Sequence, residues 1–452
     1  MLKDKRIIKK YKEVRSVFKA KETLRINKAA ETRAQRESFY RLFLNTRMTE
    51  EYIMKESINR TLEQLENGEE VLAISDTTEV NYASKSGRIK DKTGLGIIGN
   101  NTDIGYFFHP TIIVDPKKES VIGLGSGHIW SREENREKNS KRGSKKFEEK
   151  EAVRWLDEAK KTEKNLESKS LKITYVSDRE GDIYNVLESI EDSNQCYVIR
   201  SYHDRKIESF ESKNIREELS KQETKYSFSK LIIGNKKRKT RDALLNVSYT
   251  QMNIKRPQGK DAQSLKPLHK TNVIEIKEDI STVPEGESAI HWILLSNKKA
   301  ENNEDVRRII HIYTLRWLIE ESFRIFKSTG LDVESIAMEH GEGIRKVGML
   351  GFDIALEILQ MRQAYKSADD TPCTKIYNSN EIQILEKLNV KLEGKTLKQK
   401  NPFKFKSIAW TCWIVARLGG WHGYQTTQPG VITFLTGIRK LNIIFEFQLS
   451  DD

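Results

Sequence analysis

The segment YTLRWLIEESFRIFK places Tyr313, Arg316, Glu320 and Lys327 at offsets of 0, 3, 7 and 14 residues. At about 100° per residue, an α-helix gathers all four within about 60° of arc. Leu315, Leu318, Ile319 and Phe326 fall on the opposite arc. The helix therefore has one face to bury and one that presents a phenol, a guanidinium, a carboxylate and an ammonium, a set suited to phosphate. The competing reading is an ordinary amphipathic helix whose Arg316 and Glu320 form a surface pair worth roughly a few tenths of a kcal/mol. Two more acids close strand candidates: EVLAISD, whose short apolar run suits a strand buried on both faces, ends on Asp76, and LKITYVSD ends on Asp178. Acids at two strand ends resemble a site.

The elements that must carry these residues alternate. GYFFHPTIIVD and VIGLGSGHIW are strand candidates separated by DPKKES, whose proline and charges suit a turn, so they read as a hairpin. FEEKEAVRWLDEAKKTEKNLES reads as a half-buried helix before the strand that ends on Asp178, and DIYNVLESI and QCYVIRS continue as helix and strand. This alternation predicts an α/β fold. Between about 202 and 290 the pattern changes to short strands, Gly/Pro breaks and the basic run Lys236, Lys237, Arg238, Lys239 and Arg241, which predicts an inserted β-rich module. The expected organisation is a basic helical arm over 1–66, an α/β core over 67–201 and 291–368 interrupted by the module at 202–290, and a helical region over 369–452. Pro429 suits a helix start there.

The 452-residue chain carries a formal charge of +13, and residues 1–50 hold fifteen Lys and Arg against six Asp and Glu. Such an excess predicts a polyanionic partner, nucleic acid or an anionic surface, although solvated lysines are also common. No apolar run approaches the ~18 residues that span a bilayer, so no membrane partner is expected. The start MLKDKRIIKKYKE lacks the apolar core of a secretory signal, and an intracellular protein is expected. Cys196, Cys373 and Cys412 are far apart and have no paired histidines, which points to reduced, buried thiols. Gly94, Gly96 and Gly99 spell G-x-G-x-x-G, but no strand precedes them and no helix follows, so a dinucleotide role is rejected, and no phosphate-binding loop is present.

The ordered set SDTTEVNY, VSDREGDIYNVL, AIHWILLS and Y-x2-R-x3-E-x6-K resembles the DDE transposases of the IS-four family. AQRESFYRLFLN near the amino end and WIVARLGGW near the carboxyl end extend the similarity over about four-fifths of the chain, leaving out the first 25 residues. The resemblance implies a ribonuclease H-like core in which Asp76, Asp178 and Glu320 are catalytic and hold two Mg²⁺ or Mn²⁺ ions. Two hard cations suit in-line phosphoryl transfer, one activating the attacking oxygen and one stabilising the leaving oxygen. Glu180, Asp182 and Glu321 lie beside these acids, but the resemblance assigns the metal role elsewhere.

The same resemblance implies that Tyr313, Arg316 and Lys327 grip phosphates beside the cleaved end and that Trp292 fills the stack left by a flipped base. A buried strand residue is the competing reading for Trp292. Arg200 matches a family arginine near the flipped nucleotide, against the alternative of a solvated strand end. The implied activity is cut-and-paste transposition: hydrolysis frees a 3′-hydroxyl, which forms a hairpin on the opposite strand; water opens the hairpin, and the 3′-hydroxyl then attacks target DNA. Terminal inverted repeats, target DNA and a second copy of the chain are the expected partners, with no nucleotide cofactor. The aromatic helices around 408–445 are the expected dimer contact, a local core being the alternative. The expected location is the cytoplasm, on the nucleoid when DNA is bound. A nuclease-inactive DNA-binding regulator and a stand-alone nuclease on the same fold are the rival functions.

Overall fold

A computed structural model describes residues 4–21, 23–133, 146–234, 239–259, 262–327, 331–423 and 428–449. Lys236, Lys237 and Arg238 of the basic run lie outside them. Helices α1 (Lys5–Lys21), α2 (Ile26–Ala29), α3 (Arg33–Leu44) and α4 (Glu50–Gln64) lead into strands β1 (Glu70–Ser75), β2 (Thr78–Asn81), β3 (Gly96–Ile97), β4 (Ile104–Asp115) and β5 (Ser120–Trp130). Next come α5 (Val153–Leu166), β6 (Lys172–Ser177), α6 (Tyr184–Asp192), β7 (Cys196–Arg200) and α7 (Ile215–Ser220). Strands β8 (Tyr226–Ile232), β9 (Arg241–Lys255), β10 (Leu268–Glu278) and β11 (His291–Ser296) precede α8 (Asn303–Thr314) and α9 (Trp317–Lys327). Helices α10 (Gly341–Lys366), α11 (Ser379–Leu392), α12 (Ile408–Leu418) and α13 (Val431–Leu449) follow. The architecture is mixed α/β. Among the described residues no helix is long and apolar enough to cross a membrane.

Two compact units interleave along the chain: residues 1–65, 77–136 and 318–452 form the first, residues 66–76 and 137–317 the second. The second is organised on a mixed sheet in the order β1-β6-β7-β11-β10-β9-β8. Strands β1, β6 and β7 are mutually parallel, and β7, β11, β10, β9 and β8 pair antiparallel. The parallel strands are apolar runs because both their faces are covered, and only the first residue of β1 and of β6 is exposed. The segment over 202–290 contributes β8, β9 and β10 as outer strands of this same sheet.

Helices cover the two faces of that sheet. On one, the Tyr175 hydroxyl donates to the Ala159 carbonyl of α5, and Tyr184 of α6 meets His269 of β10 edge-on. On the other lies α8, where Arg307 stacks over Tyr226 and Asn303 accepts from the Tyr249 hydroxyl.

The first unit has the hairpin β4–β5, antiparallel with bulges, at the turn that DPKKES predicts. Its axis is α10, most of which is buried. Gly348 lets that helix approach Tyr106, whose hydroxyl oxygen would lie 2.2 Å from a β-carbon at this position. Helix α1 docks against this core through partly buried ion pairs. Arg15 Nε donates to Asp353 Oδ2 at 2.8 Å, Arg15 Nη2 to Glu357 Oε2 at 2.8 Å and Lys19 Nζ to Glu357 Oε1 at 2.7 Å. Arg60 of α4 adds an ion pair to Asp353 at 2.6 Å, and the Ser57 hydroxyl donates to the same carboxylate. Part of the amino-terminal charge surplus is thus spent inside the fold.

Trp410 and Trp413 of α12 and Phe434 of α13 are at most 1% exposed and pack with Trp421 and Phe445 in one cluster within the chain. These aromatics close a local core. Contacts with another chain from this region would need other side chains, such as Phe405, Ile432 and Ile443, which are exposed.

The signature segment departs from a single helix. It breaks at Leu315 and Arg316: the Leu315 N–H is shared between the His311 and Ile312 carbonyls, and the Arg316 N–H reaches back only to Tyr313. The last turn of α8 tightens, and α9 restarts at Trp317. Tyr313, in the last turn of α8, lies buried at 5% exposure against Trp292 instead of on an open polar face.

Candidate functional site

In the second unit, Ile74 pairs with Val176, Val176 with Val198, Arg200 with Leu294, and Trp292 with Ile276. Side chains alternate along a strand. Carried one residue past β1 and β6, that alternation puts Asp76, Asp178, Arg200 and Trp292 on one face of the sheet. It is the face α8 covers, since Trp292 meets Tyr313 edge-on with centroids 5.4 Å apart. Asp76 and Asp178 follow the carboxyl ends of adjacent parallel strands, the place where open α/β sheets bind ligands.

Neighbouring strands lie about 4.8 Å apart, so two carboxylates there repel unless a cation stands between or beside them. Arg316 supplies one positive charge, with Nη1 3.3 Å from Asp76 Oδ2. Asp178 caps the short turn Arg179–Gly181, its Oδ1 accepting from the Glu180 N–H at 2.9 Å. Gly181 is required by that turn: a β-carbon would lie 2.1 Å from Ser177 Oγ.

Around the acids lies an arginine-rich shell. Arg200 donates to the His291 carbonyl at 2.9 Å and lies beside the Tyr313 hydroxyl. Burial lowers the Arg200 guanidinium below its ordinary pKa, the Tyr313 hydroxyl opposes that, and the nearby Arg179 and Arg316 charges lower it further. Burial raises the Tyr313 hydroxyl, against the opposing pull of Arg316 and Arg200. Three guanidiniums crowded beside two carboxylates favour an anionic ligand, and planar donors of this kind match phosphate oxygens.

Glu320 and Lys327 belong to the first unit. Glu320 is half-buried in the first turn of α9. Lys327, in the last turn, donates to the Glu79 carbonyl and lies 3.8 Å from Glu334 Oε1. Among the described residues, no group of three or more His, Cys, Asp or Glu side chains is drawn together closely enough to hold a metal ion. The Asp76 and Asp178 pair nevertheless offers the donor chemistry of a hard divalent cation, carboxylate oxygens at neighbouring strand ends.

The three neighbouring acids are all engaged elsewhere. Glu180 pairs with Arg154 at 2.7 Å, Glu321 with Arg324 at 3.0 Å, and Asp182 with Arg205 at 2.5 Å. Asp182 is 1% exposed and also accepts the Tyr202 and His203 N–H groups, each at 2.8 Å. Its work is to fix the chain after β7. Asp182→Ala should destabilise the protein by about 3–5 kcal/mol, because it leaves Arg205 buried and unpaired. Urea unfolding measures this, and a loss under about 1 kcal/mol, the scale of a surface pair, would show that the pair is not structural.

Sequence reading missed two side chains here. Arg179 adds a charge to the Arg200 cluster and was hidden in an acid-rich run. Trp317 is 57% exposed beside Arg316. Its place off the apolar arc of the signature segment was the available signal, and an open indole can stack on a base.

No protein-family model matches the chain.

Proposed function

We propose that the protein is a DDE-type cut-and-paste DNA transposase with a ribonuclease H-like core. The observation that carries this reading is the gathering of Asp76, Asp178, Arg200, Trp292, Tyr313 and Arg316 on one face of the second unit's sheet. The resemblance of the signature segment adds Glu320 as the third carboxylate and Lys327 as a phosphate contact.

Asp76, Asp178 and Glu320 would hold two Mg²⁺ or Mn²⁺ ions, which when bound lower the barrier of phosphoryl transfer by polarising the phosphate and stabilising the attacking and leaving oxygens. The chain's own residues do the positioning. Arg316 and Arg200 bind phosphate oxygens next to the scissile bond, the Tyr313 hydroxyl lies beside both guanidiniums, and Trp292 stacks where a base has left the duplex. The basic amino-terminal helices bind terminal inverted repeats, a second copy of the chain bridges the two ends, and the freed 3′-hydroxyl joins target DNA. All steps are phosphoryl transfers and require no nucleotide cofactor. The protein works in the cytoplasm, on the nucleoid.

A nuclease-inactive regulator that occupies ends is the second reading, favoured by the Arg316 guanidinium already seated on Asp76. One experiment separates the two: DNA carrying the element's own flanking ends is incubated with wild type or Glu320→Ala, in Mg²⁺ or EDTA. A transposase gives metal-dependent hairpins and joined products that Glu320→Ala loses. Binding without cleavage in Mg²⁺ establishes the regulator, and cutting without joining establishes a nuclease.

A further inference from the structure

The carboxylate site leaves unexplained a second concentration of positive charge, on α11 and the loop that follows it in the first unit. Residues 386–406 contain seven lysines and two glutamates, a local surplus of five. Both glutamates are consumed locally: Glu393 accepts from Lys400 at 3.0 Å and Glu386 pairs with Lys406 at 2.6 Å. Lys387, Lys391, Lys395, Lys398 and Lys404 are exposed, and among the described residues none has a carboxylate at ion-pairing distance.

The backbone beneath them is pinned. Gly394 N–H donates to the Gln399 carbonyl, and a β-carbon on Gly394 would meet Gln399 Oε1 at 2.3 Å. The Asn401 N–H donates to Glu393, and Asn401 Nδ2 donates to both Asn389 Oδ1 and the Trp410 carbonyl. Arg417 clamps the Leu392 carbonyl with two donors, and Cys373 N–H holds the Lys406 carbonyl. Lysines that repel one another on a fixed platform cost stability unless a polyanion neutralises them.

We propose that this platform docks the phosphate backbone of duplex DNA without regard to sequence, a contact that goes beyond the carboxylate site and needs no catalysis. The pattern favours DNA over a lipid surface. Membrane-surface binding draws on a continuous buried apolar face. Here the exposed apolar side chains are Val390, Leu397 and Phe405, scattered among lysines. Phe405 is further occupied, edge-on to Trp410 with Lys406 over its ring. Phosphate neutralisation, by contrast, scales with the number of ammonium groups.

The test is the salt dependence of binding to a random-sequence duplex lacking element ends, measured in EDTA on the full chain, so that failure of catalysis does not enter. Wild type is compared with Lys395→Ala/Lys398→Ala/Lys404→Ala and with a charge-matched control, Lys160→Ala/Lys164→Ala/Lys172→Ala. Each lost phosphate contact should flatten the log–log slope by about 0.9, so the first triple variant should lose about 2–3 units of slope and the control little. Equal losses in both variants, an unchanged slope in the first, or no duplex binding by wild type would overturn the proposal. So would lysine-dependent binding to phosphatidylserine vesicles with duplex binding unaltered.

Discussion

Asp178→Ala should abolish cleavage of the element's ends while leaving their binding intact. Asp178 sits past a buried parallel strand, and its side chain contributes to the turn Arg179–Gly181 and to the carboxylate pair, not to the core. If the proposed function holds, removing one of the two carboxylates assigned to the metal ions forfeits several kcal/mol of transition-state stabilisation, on the order of 10³-fold or more in rate. Binding should hold or tighten slightly, because the variant removes negative charge from the surface proposed to meet phosphate. Cleavage timed on end-bearing DNA, alongside a binding titration in EDTA, reads both quantities. Undiminished cutting would overturn the assignment of the site; lost binding would mean that the residue shapes the DNA surface instead.

Asp353→Ala should cost the protein about 2–3 kcal/mol of stability at neutral pH, since it removes the buried acceptor shared by Arg15, Arg60 and Ser57 while Arg15 keeps Glu357. The midpoint of denaturant unfolding measures it, and Arg15→Met/Asp353→Leu should recover part of the loss, as exchanging a whole buried pair for apolar packing often does. A cost under about 1 kcal/mol would reduce the network to the rank of surface pairs.

The same network sets an acid limit. Burial pushes the Asp353 carboxyl up, but the Arg15 and Arg60 guanidiniums and the Ser57 hydroxyl outweigh it and hold it below the ordinary range. For Glu357, Lys19 and Arg15 outweigh burial, lowering the carboxyl from 4.5 to about 2. A carboxyl depressed in the folded state stabilises fully above its unfolded pKa and loses that contribution as pH falls through its folded one. Stability from Glu357 should therefore be complete above pH 4.5 and decline toward pH 2, and in Asp353→Ala the acid dependence should be shallower.

Parts of this were legible in the chain. The run ending on Asp76 is a buried strand because the four consecutive apolar residues Val71–Ile74 are driven out of water, and the one ending on Asp178 buries Ile173, Tyr175 and Val176 in the same way. The hairpin β4–β5 follows from its turn chemistry, and α5 from its apolar spacing. The signature segment was read correctly for its apolar arc, with Ile319 and Phe326 fully buried, but wrongly as one helix. Nothing in its residues, with no proline or glycine from Tyr313 to Lys327, marks the break at Leu315 and Arg316.

The sequence by itself determined which acids and cations are available, which strands are buried, and the order and spacing of Asp76, Asp178 and the residues from Tyr313 to Lys327. Those are matters of residue type and period, which short-range sterics and hydrophobicity decide. Only the tertiary structure decided that β6 lies between β1 and β7 in a register that puts both acids on the face of Arg200 and Trp292. It also decided that Asp182 belongs to Arg205, and that Arg15 and Lys19 of the basic amino end are spent on α10. Register and ion pairing join residues far apart in the chain, and a charge shows its partner only once the fold has closed around it.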